Sequence, residues 1–240
     1  MEHLSKKKNA VTAVLLILLV PAVVVFGAIV FKEKYYAWVC VCVTVLSCIP
    51  LFYAFERKES SSKELAVLAI LIALSVAGRF IFVWLPGFKP VTAITVIAAI
   101  YLGREAGFVV GSLSALVSNF YFGQGPWTPF QMFAWGILGF CAGVLSNRLL
   151  KSRMILCLFG FVAGIAYSLT MDVWTTLWAD GTFNIIRYLS FVVTAIPVTI
   201  EYAVSNVVFL LFLTNPIGEK LSRIKKKYGL FITYNTGLLL

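Results

Sequence analysis

Histidine is almost missing from this chain, and charge of either sign is scarce. His3 is the only histidine, so no Ser/His/Asp relay can form in the apolar body of the chain. No spaced His/Cys/carboxylate cluster offers a metal site. No glycine-rich loop ends in Gly-Lys-Ser or Gly-Lys-Thr, which excludes ATP hydrolysis by a Walker-type phosphate loop. The cysteines Cys40, Cys42, Cys48, Cys141 and Cys157 lie in or near apolar runs without metal spacing and read as small packing residues. These absences leave no catalytic residue, no metal and no cofactor to expect.

Apolar residues fill the space that charge leaves. The chain is 61% hydrophobic and 12% charged, more apolar surface than a soluble domain can hide. The fold class is therefore an all-α integral membrane protein, with the lipid bilayer as its first partner. A spanning helix takes about 20 mostly apolar residues. Runs that fit are 10–31, 36–54, 64–86, 90–103, 105–122, 129–147, 154–178 and 187–214. Gly103-Arg-Glu105 separates two of them, and glycine with charge marks a sharp helical hairpin. The run 10–31 is too long, and too poor in a small-residue cleavage site, for a removable signal.

The basic residues orient the spans. With the N-terminus inside, the inner loops and tails hold fifteen lysines and arginines and the outer loops hold four, with Arg79 inside a span. The positive-inside rule then places both termini in the cytoplasm of a multi-pass plasma-membrane protein. The net charge of +10 reflects basic flanks at an anionic leaflet, not nucleic-acid binding.

Four parts follow. Residues 1–55 form a plain transmembrane hairpin with a basic leader. Residues 56–63 are a polar cytoplasmic linker whose serines can cap the next helix. Residues 64–216 form a six-helix core, and residues 217–240 a basic cytoplasmic tail. In the first core helix, Ala69, Ala73 and Ala77 line one face, a surface that another helix can approach closely. Arg79 points well away from that stripe. An arginine inside a span normally faces a cavity or a partner, with snorkelling to the headgroups as the alternative. Gly103, Gly107, Gly111 and Ala115 make a second small-residue stripe, and Gly139/Gly143 and Gly160/Gly164 make further pairs suited to tight packing.

Polar chemistry concentrates at one end of this core. Residues 119–136 join two apolar runs through a turn rich in Gly and Pro. They carry Asn119, Gln124, Thr128 and Gln131 among aromatics that include Trp127 and Trp135. Amides, hydroxyls and ring faces suit an organic solute, while an interfacial aromatic belt is the plainer alternative. Gln131 and Trp135 share a helix face. Asp172 and Thr175 lie at about the same depth as Arg79, so an Arg79–Asp172 pair is an option. Glu201 lies near the middle of the last span, where it could be protonated, paired or facing a cavity. No polar track crosses the whole membrane, which disfavours a channel. A proton-coupled carrier using Glu201 and Asp172, a membrane enzyme and a scaffold are the remaining alternatives.

The core resembles the substrate-binding S component of an energy-coupling factor (ECF) vitamin transporter. The resemblance rests on the six-helix core, the Ala69/Ala73/Ala77 spacing, Phe88-Lys-Pro-Val-Thr92, Gly103-Arg-Glu-Ala-Gly107 and Gly123-Gln-Gly-Pro-Trp-Thr-Pro129. It implies outer-end binding of a vitamin, docking of the alanine face on a membrane coupling (T) subunit, and release driven by two cytoplasmic ATPases. Substrate contacts would come from Arg79, Asn119, Gln124, Trp127, Thr128, Gln131, Trp135, Asp172 and Thr175. The central stretch is closest to the cobalamin branch, with riboflavin, pantothenate, folate and queuosine precursors open. The N-terminal hairpin departs from the usual six-span pattern.

Overall fold

In the computed structural model, residues 61–231 are described. The expected hairpin at 10–31 and 36–54 lies outside them. The described residues form seven helices and no strand: α1 Ser62–Ile81, α2 Val91–Leu102, α3 Arg104–Phe122, α4 Trp127–Val144, α5 Ser146–Lys151, α6 Arg153–Asp180 and α7 Ile185–Tyr228. Three of them, α1, α6 and α7, are long and apolar enough to cross a membrane.

Ser61 caps α1 by accepting from the Glu64 amide at 3.3 Å, so the serine-rich linker does start the core. The helix stops at Ile81 instead of running to 86. Pro86 disfavours helical backbone just before it, and residues 82–85 close into short turns. One side of α1, with Leu68, Leu71, Ser75 and Arg79, is buried. Ala69, Ala73 and Ala77 are exposed on the other.

α2 is the centre of the bundle. Its 12 residues rise only about 18 Å, well short of the ~30 Å hydrocarbon thickness, and eleven of them are buried. It ends at Gly103, whose φ of +113° is open to glycine and strained for other residues. Gly103 is thus the break between two helices, not the first member of a stripe. The stripe proper starts at Gly107. A Cβ at Gly111 would sit 2.5 Å from the Trp135 carbonyl oxygen, and one at Gly139 would sit 2.5 Å from the Gly107 carbonyl oxygen. α3 and α4 therefore meet backbone to backbone. Gly164 does the same for α6 against the Ala203 backbone of α7, Gly160 makes room for the Leu210 side chain, and Asn206 Nδ2 fastens that contact by donating to the Gly160 carbonyl at 3.1 Å.

The last helix does not stop near residue 214. It runs for 44 residues, about 66 Å, straight through Pro197 and Pro216. Its last turns carry Arg223, Lys225, Lys226 and Lys227, so this part of the expected tail is helix. Core contacts hold it there: Gly218 packs on the Tyr101 ring, Leu221 is buried, and Lys225 Nζ donates to the Tyr101 carbonyl at 3.1 Å. Beyond it, Leu230 and Phe231 pack into the main apolar cluster, and the Phe231 amide donates to the buried Glu64 carboxylate. The bundle thus has a basic end, with Arg104, Arg148, Lys151 and the end of α7. Its other end is aromatic, with the α1–α2 loop and the α3–α4 turn.

Candidate ligand-binding site

The site is built at the aromatic end around one buried cation. Arg79, in the last turn of α1, is only 7% exposed. Its Nη1 donates to Ser118 Oγ and, at 3.1 Å, to Asn119 Oδ1, both on α3. Its guanidinium also lies 4.7 Å from the Phe122 ring and 5.1 Å from the Trp135 ring. Ring faces carry partial negative charge and favour a cation between them. No ion pair joins Arg79 to Asp172. Arg104–Glu105 at 2.8 Å and Arg187–Asp180 at 3.1 Å are salt bridges among the described residues.

Asn119 is the hinge of a polar chain. At 1% exposed, it accepts from Arg79 and donates through Nδ2 to Thr128 Oγ1 at 3.0 Å and Gln131 Oε1 at 2.8 Å. Thr128 Oγ1 then donates to Gln124 Oε1 at 3.0 Å, and Gln124 Nε2 donates to the Leu116 carbonyl at 2.9 Å. The α3–α4 turn is thereby stitched back onto α3. Asn119 and Gln124 each use both donor and acceptor ends, and Gln131 Oε1 is held by Asn119, which leaves little freedom in how the turn presents Gln131.

Beside this chain lies a small cavity of about 40 Å³. Its wall comes from α1 (Arg79), the α1–α2 loop (Lys89), the start of α2 (Val91 and Thr92), α4 (Gln131 and Trp135), α6 (Tyr167) and α7 (Tyr202). The Trp135 and Tyr167 rings are stacked at 4.8 Å and 7° from parallel, and Tyr202 meets Tyr167 edge-on at 5.0 Å. The wall thus joins three aromatic rings to two cations, with the Arg79 guanidinium itself over the Trp135 ring. A volume of this size accommodates a few waters but no vitamin, so a ligand of that size requires the loop above it to move.

That loop is fastened to α7. The Gly87 amide donates to Glu201 Oε2 at 2.9 Å, the Lys89 amide donates to Ser205 Oγ at 2.9 Å, and Ser205 Oγ donates back to the Lys89 carbonyl at 3.1 Å. Phe82 and Phe88 pack on Phe209, with ring centroids 5.1 and 5.0 Å away. Glu201 is therefore neither facing the cavity wall nor idle: it is exposed and holds the loop. Lys89 Nζ donates to the Pro86 carbonyl at 2.7 Å. Burial and the neighbouring Arg79 cation pull the Lys89 ammonium below its ordinary pKa, against a smaller opposing effect of Glu201.

Of the residues expected from sequence, Arg79, Gln131 and Trp135 line the cavity. Asn119 and Thr128 stand directly behind them, and Gln124 one bond further back. Trp127 goes elsewhere: it packs with Phe130, Trp174 and Leu177 in a separate apolar cluster. Thr175 Oγ1 bonds back to the Met171 carbonyl at 3.0 Å. Asp172 is buried with its Oδ2 unpartnered, and is not in the cavity wall. Tyr167, Tyr202 and Thr92 were not singled out, and Lys89 was read only as an outer cation. A tyrosine within an apolar span is the signal that would have marked Tyr167 and Tyr202.

Residues 59–223 match a family model described as "ECF-type riboflavin transporter, S component". No curated protein and no solved structure matches the chain.

Proposed function

The chain belongs to the ECF-type riboflavin transporter S component family, and on that premise we propose that it captures a flat heteroaromatic vitamin in the Arg79 cavity for an ECF importer. It is a membrane-embedded, multi-pass transport subunit and not an enzyme, and S components work with a T subunit and ATPases on small vitamin-like solutes. The observation that carries the site assignment is the convergence of five helices and one loop on a cavity walled by the stacked, near-parallel Trp135–Tyr167 pair. Two parallel rings beside a hydrogen-bonding amide suit a planar ring system better than a branched aliphatic one. Riboflavin is the first candidate. Cobalamin is the second, favoured by the sequence of the α3–α4 turn.

The same reading assigns the remaining surfaces. The aromatic end faces outward, because the basic end belongs at the anionic cytoplasmic leaflet. The exposed Ala69, Ala73 and Ala77 form the face that docks on the T subunit, and two ATPases energise the complex from inside. A proton-coupled carrier is disfavoured, because Glu201 binds the loop and Asp172 lies outside the cavity wall.

The test uses the purified chain in nanodiscs, with tryptophan fluorescence and calorimetry against a panel of vitamins. One vitamin should bind without ATP. Ala73→Trp should leave that binding intact and abolish uptake in cells that also carry the T subunit and ATPases. No binding to any vitamin would refute the capture role, and undiminished uptake by Ala73→Trp would refute the docking face.

A further inference from the structure

We infer that the solute taken by this cavity carries an oxyanion, a carboxylate or a phosphate, received between Arg79 and Lys89. The inference rests on the capture role proposed above and moves its substrate away from riboflavin itself, which carries neither group, toward its phosphate ester or another acidic vitamin.

Arg79 is held in a way that leaves half of its hydrogen-bonding edge unused. Its bonds to Ser118 and Asn119 both use Nη1. Nε is buried and has no partner. The Nε/Nη2 edge of a guanidinium is one of the two edges that bind a carboxylate or phosphate through parallel hydrogen bonds. Ser118 and Asn119 fix the other side of the group, so the free edge is already oriented. Arginine presents that fork at little further entropic cost.

A second cation shares the cavity. Lys89 Nζ spends one donor on the Pro86 carbonyl, and an ammonium has three. No carboxylate stands in the wall to offset the pair. Glu201 is the nearest candidate, but its Oε2 accepts from the Gly87 amide, and on Lys89 its attraction ranks below the repulsion from Arg79. Two like charges at the same cavity repel, and partial desolvation adds to the cost of each. An oxyanion between them removes the repulsion and completes the unused arginine edge. A neutral ring of the same shape does neither. The Trp135–Tyr167 stack then takes the ring, while the two cations take the acid.

Matched pairs of probes test this on the full chain in nanodiscs: riboflavin against flavin mononucleotide, nicotinamide against nicotinate, panthenol against pantothenate, and biotin amide against biotin. The first pair reports on phosphate and the others on carboxylate. In the pair that the site accepts, the anionic member should bind roughly 10- to 100-fold more tightly, the weight of one charge-assisted hydrogen bond. Arg79→Gln and Lys89→Met should each erase most of that difference while changing the neutral member far less. Lys89→Met is the safer variant, because Lys89 is in a loop whereas Arg79 also anchors α3. Equal or tighter binding of the neutral member would overturn the oxyanion and leave the capture role standing. A preference that survives both substitutions would also overturn it. Failure of every probe to bind, with cobalamin run alongside them, would refute the capture role itself, and this inference with it.

Discussion

Asn119→Ala tests whether one amide holds the site together. The substitution removes three hydrogen bonds: one from Arg79 at 3.1 Å, one to Thr128 at 3.0 Å and one to Gln131 at 2.8 Å. Side-chain hydrogen bonds between membrane helices average about 0.6 kcal/mol and reach about 1.7, because the unfolded chain in lipid also finds partners. Three such bonds give about 2–5 kcal/mol. The upper part of that range applies here, since Asn119 is fully enclosed and the Arg79 bond is charge-assisted. For a chain of this size the loss lowers the midpoint of thermal unfolding by roughly 4–20 °C. The assay is tryptophan fluorescence during heating in nanodiscs at one fixed scan rate, because unfolding of such proteins is often irreversible. Asn119→Asp separates holding from binding. A carboxylate still accepts from Arg79 but cannot make the two donations to Thr128 and Gln131, so part of the stability returns, and it supplies an internal counter-ion. Asn119→Asp should therefore unfold between Asn119→Ala and the parent and bind an anionic probe much more weakly than either. An Asn119→Ala midpoint within about 2 °C of the parent, with binding unchanged, would refute the role given to this network.

Three further outcomes follow from the packing. Gly111→Leu should destabilise the fold by more than the ~1–3 kcal/mol of ordinary overpacking, because the obstacle is the Trp135 backbone and cannot rotate away; the thermal midpoint checks this. Glu201→Ala should release the α1–α2 loop, raising amide hydrogen exchange at Gly87 and speeding ligand entry and exit together. Glu201→Gln keeps an acceptor at the same place and should leave Gly87 protected, an outcome that a proton-coupling role would not give. Trp127→Phe should lower stability slightly and leave vitamin affinity within about twofold, since Trp127 packs against Phe130 and Trp174 away from the cavity.

Some of the site was readable because helical spacing fixes directions. The ~100° step per residue put Arg79 away from the alanine stripe, and in the fold Arg79 is buried while Ala69, Ala73 and Ala77 are exposed. The same step put Gln131 and Trp135 on one face, and both line the cavity. Depth was a poorer guide. Arg79 and Asp172 were placed at similar depth, yet the cation turns to Ser118 and Asn119, because depth along a span does not say which helix stands next to it. Thr175 was grouped with the site by its depth, and Trp127 by its place in the 119–136 turn.

The sequence by itself determined that this chain is a helical membrane protein and that its helices break at Gly103 and before Pro90. Apolar length, Gly103 and the Pro86–Pro90 segment are local properties that hold whatever the neighbours do. It also determined which residues were too polar for lipid and so had to face inward. Only the tertiary structure decided their partners. Glycines let α3 meet α4 and α6 meet α7 at backbone distance, and that close approach brings Tyr167 and Tyr202 to Trp135. The α1–α2 loop then folds onto Glu201 and Ser205 and carries Lys89 to Arg79. Two cations, one in the last turn of α1 and one in the loop that follows it, thus come to share one cavity, a juxtaposition set by how that loop folds onto α7.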